Sequence, residues 1–179
     1  MIKYYFDMDG CLAEYRWGTP FEALYNENYF YSLKPNESIL TAAKRLIILK
    51  EKYPIDVFSL SAVLSDHKTA LQEKIAWLDK YIPELDEEHR IFTTVGENKS
   101  DHIKIGKDCV LIDDFSNNIK DFIDNKGHAV KVSRNFTDMI YEEAKHEFNH
   151  FINPSMSADD ITGYLLGFLQ YEDTINYFE

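Results

Sequence analysis

Short apolar segments alternate with longer amphipathic segments through the first 132 residues of the chain. The short segments are apolar or aromatic and are bounded by polar residues, which is typical of buried strands. The longer segments carry apolar residues at helical spacing. The predicted strands are 2–6, 55–60, 90–93, 110–112 and 128–132.

This alternation predicts an α/β fold with a three-layer, Rossmann-like parallel sheet and helices on both faces. The first helix follows Asn36 as N-cap, and the third begins at Ser116 as N-cap and ends at 125–127. The second lies between Asp66 and Pro83, and its apolar face is formed by Leu71, Ile75, Leu78 and Ile82. Ligands of such sheets bind where the carboxyl ends of the strands meet.

Two regions depart from the alternation. Residues 13–34 are rich in aromatic side chains and are predicted to be a small cap insertion over the sheet edge, with Tyr15 and Trp17 as candidates for ligand contact. Residues 1–135 are predicted to form the core, and 136–179 a C-terminal extension of two helices packed on it. Within that extension Ser157 and Asp160 resemble a capping box.

Composition limits the partners. The formal net charge of −12 opposes binding of a nucleic acid polymer, and no apolar run is long enough to span a membrane. Cys11 and Cys109 form no C-x-x-C pair, which favours reduced thiols in a cytoplasmic protein. The oligomeric state is left open.

Acidic residues follow the first and fourth predicted strands. Asp7 and Asp9 leave the first strand in Asp7-Met8-Asp9-Gly10, and Asp113 and Asp114 follow the fourth. Carboxylates held close together repel one another and need a cation or a shared proton, although a solvated turn is the alternative for the first pair. Carboxylate oxygens with no His or Cys partner suit Mg²⁺ rather than zinc.

A hydroxyl and a lysine follow the two remaining strands. Ser61-Ala62 could hold phosphate oxygens through a hydroxyl and a backbone N–H. Lys99, in the polar loop 96–100, could neutralise a phosphate and keep a nucleophilic carboxylate ionised. Other residues that could take these roles are Ser59, Ser65, Lys104 and Lys107.

In this order, the four clusters resemble the motifs of the haloacid dehalogenase superfamily of phosphohydrolases. The resemblance covers residues 1–132 and rests on 6–10, Ser61, Lys99 and 111–114. Within the superfamily, the chain is most similar to bacterial proteins related to 5'(3')-deoxyribonucleotidases, through the supporting stretches 29–35 and 76–81. Its insertion is shorter than theirs, and Ala62-Val63 stands where they have Ser-Pro.

The resemblance implies a Mg²⁺-dependent phosphomonoester hydrolase with a small phosphorylated substrate, such as a (deoxy)nucleoside monophosphate. It implies that Asp7 is the nucleophile that forms an aspartyl-phosphate and that Asp9 is the general acid and base. The phosphate-binding residues would be Met8, Ser61, Ala62 and Lys99. Mg²⁺ would be bound by Asp7, the backbone carbonyl of Asp9, and Asp114 or Asp113, with Asp114 favoured.

Three alternatives use the same residues. A phosphotransferase would share the site but exclude water and pass the phosphoryl group to an acceptor. A receiver-type signalling domain would also place acids, a hydroxyl and a lysine at strand ends, but with the acidic pair first and the acceptor Asp in mid-chain. A binding protein on a hydrolase scaffold is the third alternative.

Overall fold

The computed structural model of the chain describes residues 1–15, 18–133 and 150–168. Within them, strands form one sheet of order β3-β2-β1-β4-β5-β6, in which every neighbouring pair is parallel. The predicted α/β fold with a Rossmann-like parallel sheet is confirmed. The strands are β1 (Ile2–Phe6), β2 (Ile55–Val63), β3 (Arg90–Thr94), β4 (Cys109–Asp113), β5 (His128–Val132) and β6 (Phe151–Ile152).

Helices cover both faces of this sheet, as predicted. They are α1 (Glu37–Leu49), α2 (Ala70–Tyr81), α3 (Ser116–Asp124) and α4 (Ala158–Leu166). Alternate residues of the buried strands face opposite layers. Tyr4 and Phe6 belong to the larger core with α1, α2 and α4, whereas Tyr5 belongs to the smaller core with α3.

Two predicted N-caps differ in the structure. Asn36 does precede α1, but its side-chain amide donates to the carbonyl of Cys11 at 2.6 Å and does not cap the helix. Phe115 occupies the N-cap position of α3, and Ser116 is the first helical residue. The Ser116 hydroxyl instead accepts a hydrogen bond from Lys131 at 3.0 Å. Tertiary contacts therefore take both polar side chains that the sequence assigned to capping.

Strand β2 is longer than predicted and contains both Ser61 and Ala62. Its pairing with β3 continues through Ser61 opposite Phe92 and Ala62 opposite Thr93. Asp113 is likewise the last residue of β4, not the first residue after it. These polar residues are therefore held by backbone pairing as well as by their side chains.

The C-terminal region is not purely helical. Phe151–Ile152 forms β6, which pairs with β5 and extends the sheet. The first of the two predicted helices falls largely outside the described residues. The second is α4, and Ser157 is its N-cap, because its hydroxyl accepts from the backbone N–H of Asp160 at 3.1 Å. The predicted capping box is only half formed, since the Asp160 carboxylate accepts from the Ser157 hydroxyl at 2.7 Å and not from the Ser157 backbone N–H.

The insertion 13–34 contains a 3-10 helix at Phe21–Tyr25 and is fastened to α2; Trp17 lies outside the described residues. The buried Glu73 carboxylate of α2 accepts from the backbone N–H groups of Asn28 and Phe30, each at 3.0 Å. Both cysteines are buried free thiols. None of the described helices is long and apolar enough to cross a bilayer.

Candidate active site

A cavity of about 510 Å³ opens at the carboxyl edge of the sheet. Side chains that follow or end four neighbouring strands contribute to its wall, as parallel strand ends do in open α/β sheets. The cavity brings together five of the residues predicted from sequence: Asp7, Asp9, Ala62, Lys99 and Asp114.

A buried ion triad lies at the base of this cavity. The Lys99 ammonium donates to Asp7 Oδ1 at 2.7 Å and to Asp113 Oδ2 at 2.6 Å, and Lys99 is only 1% exposed. Burial alone would lower the pKa of Lys99, but Asp113 and Asp7 together hold that pKa above its ordinary value. Lys99 is therefore a fixed positive charge against the proposed nucleophile. It begins a short 3-10 helix, Lys99–Asp101, where the sequence predicted a loop.

The two adjacent acids have different surroundings. Asp113 is fully buried, and both its oxygens accept hydrogen bonds, from the backbone N–H of Phe115 at 2.7 Å and from the Asn118 amide at 2.9 Å in addition to Lys99. The Asp114 carboxylate accepts no hydrogen bond from the described residues. Of the two, Asp114 therefore has the oxygens available to bind a cation directly. Asp113 instead accepts a hydrogen bond from Lys99 and holds its ammonium in place.

The acids fit a hard divalent cation. Asp7, Asp113 and Asp114 each offer a carboxylate oxygen, and these oxygens lie within 4.8 Å of one another. Burial raises the pKa of Asp114 well above its ordinary range, and the charges of Asp113 and Asp7 raise it further. Carboxylates crowded in this way are the ligands that Mg²⁺ prefers. The donor set therefore fits Mg²⁺, which the Asp7 and Asp114 carboxylates could bind directly.

The chain around Asp114 is tightly constrained. Gly10 has a φ of +85°, and a Cβ built there would lie 2.2 Å from Asp114 Oδ2. Only glycine adopts this conformation readily and leaves that space to the carboxylate. On the other side, the Lys131 ammonium donates to the backbone carbonyl of Asp114. The Asp114 loop is thus held between the first motif and β5.

Asp9 is held by a second buried lysine. The Lys74 ammonium donates to Asp9 Oδ2 at 2.5 Å, to the Ser61 hydroxyl at 3.0 Å and to the Ala62 carbonyl at 2.6 Å. Asp9 Oδ1 is buried and has no hydrogen-bond partner among the described residues. Burial raises the pKa of Asp9 despite the opposing effect of Lys74, and Asp7 adds to the increase. A carboxyl with a raised pKa and one free oxygen suits a proton donor.

The predicted apolar face of α2 is confirmed at Leu78 and Ile82, which are buried, but it omitted Lys74. Leu71 is 36% exposed, whereas the buried face comprises Ala70, Glu73, Lys74, Trp77 and Leu78. Charged residues lower the apparent amphipathicity of the buried face, so the periodicity assigned Leu71 to it and left out Glu73 and Lys74. The available signal was the placement of Glu73 and Lys74 four residues before Trp77 and Leu78, respectively.

Ser61 and Met8 are not among the residues that line the cavity, although both were predicted to bind the phosphate. Ser61 is 1% exposed, and its hydroxyl accepts from Lys74 on the α2 side of the sheet, while Ala62 reaches the cavity. The Met8 side chain is fully buried in the larger core, so any contact of Met8 with a ligand must use its main chain. Tyr15 lines the cavity, as predicted for a ligand contact.

Mg²⁺ should stabilise the protein more at alkaline than at acidic pH. Burial raises the pKa of Asp9, Asp113 and Asp114 in the metal-free protein. A carboxyl whose pKa is raised on folding contributes stability below its unfolded pKa of about 4, and that contribution is lost as pH rises through the raised pKa. Mg²⁺ binds the ionised carboxylates and offsets this loss.

We expect Mg²⁺ at about 100 times its dissociation constant to stabilise the fold by about 2.7 kcal/mol near pH 8, and by clearly less near pH 5. Thermal unfolding with Mg²⁺ and with a chelator measures the difference at each pH. The Asp114→Asn variant is the control and should lose most of the Mg²⁺-induced increase in Tm. An equal increase in Tm at both pH values would contradict this prediction.

Neither protein-family models nor curated protein sequences match this chain. The chemistry available to the cavity therefore follows from its own residues. These are two carboxylates bridged by Lys99, a third with open oxygens, and Asp9 beside Lys74. Such a combination can bind a divalent cation, neutralise a bound anion and transfer a proton.

Proposed function

We propose that this protein is a Mg²⁺-dependent phosphomonoester hydrolase that acts through an aspartyl-phosphate on Asp7, as the resemblance to the haloacid dehalogenase superfamily implies. The observation that carries the proposal is the contact of Asp7 with Lys99 in a cavity that Asp9 and Asp114 also line. A nucleophile, a cation, a proton donor and a metal ligand in one concave site are what phosphoryl transfer requires.

In the first step, Asp7 attacks phosphorus through the carboxylate oxygen that Lys99 does not contact. The new O–P bond forms as the bond from phosphorus to the leaving oxygen breaks, and Asp9 gives its proton to that oxygen. The Lys99 ammonium lies beside the transferred phosphoryl group and offsets its negative charge. The Ser61 hydroxyl accepts from Lys74 on the α2 side of the sheet, and Lys74 in turn holds the Asp9 carboxylate.

In the second step, water attacks the phosphorus of the aspartyl-phosphate, and the ionised Asp9 takes the water proton. The O–P bond to Asp7 breaks, which releases inorganic phosphate and restores the Asp7 carboxylate. Lys74 keeps Asp9 in place throughout, because it contacts the Asp9 oxygen that does not exchange protons. Bound Mg²⁺ supplies positive charge that offsets both the phosphate and the mutual repulsion of the acids.

Two observations narrow the class of function. The strand order β3-β2-β1-β4-β5-β6 differs from the 2-1-3-4-5 order of receiver-like doubly wound domains, which weighs against a signalling receiver.

A cavity of about 510 Å³ has room for a ligand larger than phosphate, and Tyr15 and Phe115 on its wall offer aromatic surfaces. A nucleoside monophosphate is therefore our favoured substrate class.

A panel of phosphomonoesters that includes nucleoside monophosphates and sugar phosphates tests this function. We expect phosphate release in Mg²⁺ and at least about a 100-fold slower release in a chelator, because a catalytic cation is worth several kcal/mol. Adding alcohol or nucleoside acceptors and analysing the products distinguishes hydrolysis from phosphoryl transfer. Absence of phosphate release from every ester, or release unaffected by the chelator, would refute the proposal.

A further inference from the structure

Thr93 lines the same cavity, and its hydroxyl is buried without a partner among the described residues. Thr93 as a whole is only 4% exposed, yet it is one of the residues that line the cavity. Its Oγ1 atom forms no hydrogen bond within the part of the chain that the structure describes. Buried hydroxyl groups nearly always have a protein or water partner, so an unpaired one beside a cavity indicates a place for a ligand atom.

The sheet geometry places Thr93 on the side of the catalytic acids. Alternate residues of a strand face opposite layers, and Ile91 packs in the smaller core with α3, so Thr93 faces the same side. Tyr5 packs in that core too, which puts Asp7 on this side by the same alternation. Thr93 is also the backbone partner of Ala62, and neighbouring strands lie about 4.8 Å apart.

The positions of Asp7, Ala62 and Thr93 indicate that Thr93 would contact the phosphate part of a ligand. Asp7 and Lys99 are in contact at 2.7 Å at the base of the cavity. Along the sheet edge, Ala62 on β2 lies between the end of β1, which Asp7 follows, and Thr93 on β3. A phosphate attached to Asp7 would therefore extend its oxygens over the end of β2, towards the β3 side. The hydroxyl is a small neutral donor, which suits an anionic oxygen that already has a lysine and a cation nearby.

We propose that Thr93 is a further substrate-binding residue, whose hydroxyl donates a hydrogen bond to a non-bridging oxygen of the bound phosphate. This inference rests on the proposed phosphohydrolase function. Packing alone does not require the hydroxyl, because valine has nearly the same shape and an equally strong preference for strands. The unpaired hydroxyl is explained if the ligand is its partner.

The test compares Thr93→Val with wild type for binding of inorganic phosphate in the presence of Mg²⁺, by calorimetry and as an inhibitor of ester hydrolysis. We expect at least about a tenfold weaker binding of phosphate, since hydrogen bonds to charged groups are the stronger class. Tm should be unchanged or higher, because the variant removes an unpaired buried polar group. Thr93→Ser keeps the hydroxyl and should restore most of the affinity.

Ser59→Ala provides a matched control. Ser59 also has a buried hydroxyl without a partner among the described residues, but it lies one strand position from Leu60, on the opposite side of the sheet from the smaller core. Its loss should leave phosphate affinity within about twofold of wild type.

The outcomes separate the two proposals. Phosphate binding by wild type that is unchanged in Thr93→Val would overturn the role of Thr93 and leave the phosphohydrolase intact. A wild-type protein that neither hydrolyses any ester nor binds phosphate with Mg²⁺ would overturn both. Weaker binding in Thr93→Val, with rescue in Thr93→Ser and no change in Ser59→Ala, would establish the contact.

Discussion

Replacing Asp7 by asparagine is expected to lower the rate of phosphomonoester hydrolysis by on the order of 10⁴-fold or more, while the fold is retained. The amide is a poor nucleophile and cannot form the acyl-phosphate. The substitution is nearly isosteric and removes a charge that raises the pKa of Asp9, Asp113 and Asp114. Repulsion among the acids therefore falls, and Tm without Mg²⁺ should be equal to or higher than that of wild type.

Asp108→Asn is the matched control for this variant. Asp108 precedes β4, at the opposite end of the strand from the cavity, and its carboxylate lies 3.5 Å from the Lys3 ammonium on the surface. The substitution makes the same chemical change outside the site, and hydrolysis should continue at the wild-type rate. Unchanged hydrolysis by Asp7→Asn would refute Asp7 as the nucleophile.

Replacing Lys99 by methionine is expected to cost about 3–5 kcal/mol of unfolding free energy near pH 8 in a chelator. The ammonium contacts Asp7 and Asp113 at 2.7 and 2.6 Å, and its removal leaves two buried carboxylates without a counter-charge. Hydrolysis should fall by about 10²–10³-fold, because the site loses its fixed charge against the phosphate. Denaturant unfolding and kinetics measure the two effects separately.

Part of this loss should be recovered in two ways. Saturating Mg²⁺ adds positive charge to the same acids, and lower pH protonates Asp113, whose pKa is raised mainly by burial. Lys3→Met removes a half-buried lysine near the surface that lies 3.5 Å from Asp108, and it should cost less than about 1 kcal/mol. A Lys99→Met protein as stable as Lys3→Met under all these conditions would contradict the buried triad.

The sequence predicted the sheet well because its buried strands are simple apolar runs. Residues 2–6 and 128–132 became β1 and β5 with the predicted bounds, and the polar clusters after the central strands meet at one edge. Parallel topology alone requires that convergence. The two-residue strand β6 was missed, since Phe151–Ile152 is too short to show a period.

Side-chain roles were less predictable where burial and charge coincide. Lys74 and Glu73 are charged residues on the buried face of α2, where periodicity favours apolar side chains. Their partners, Asp9 and the backbone of the insertion, are distant in sequence, so no local pattern identifies them. Thr93 is similar, because a threonine in a strand is ordinary until its neighbours in space are known. The hydrogen bonds of Asp113, which leave Asp114 with the open carboxylate oxygens, likewise became visible only in the structure.

The proposed covalent role of Asp7 can be tested directly. Wild-type protein is mixed with substrate and Mg²⁺, quenched in acid during turnover and reduced with borohydride, which converts an aspartyl-phosphate to homoserine. Peptide mass spectrometry should find homoserine at position 7, and none when substrate is omitted. If turnover proceeds and position 7 remains aspartate, or if another carboxylate is reduced in its place, then Asp7 does not carry the phosphoryl group.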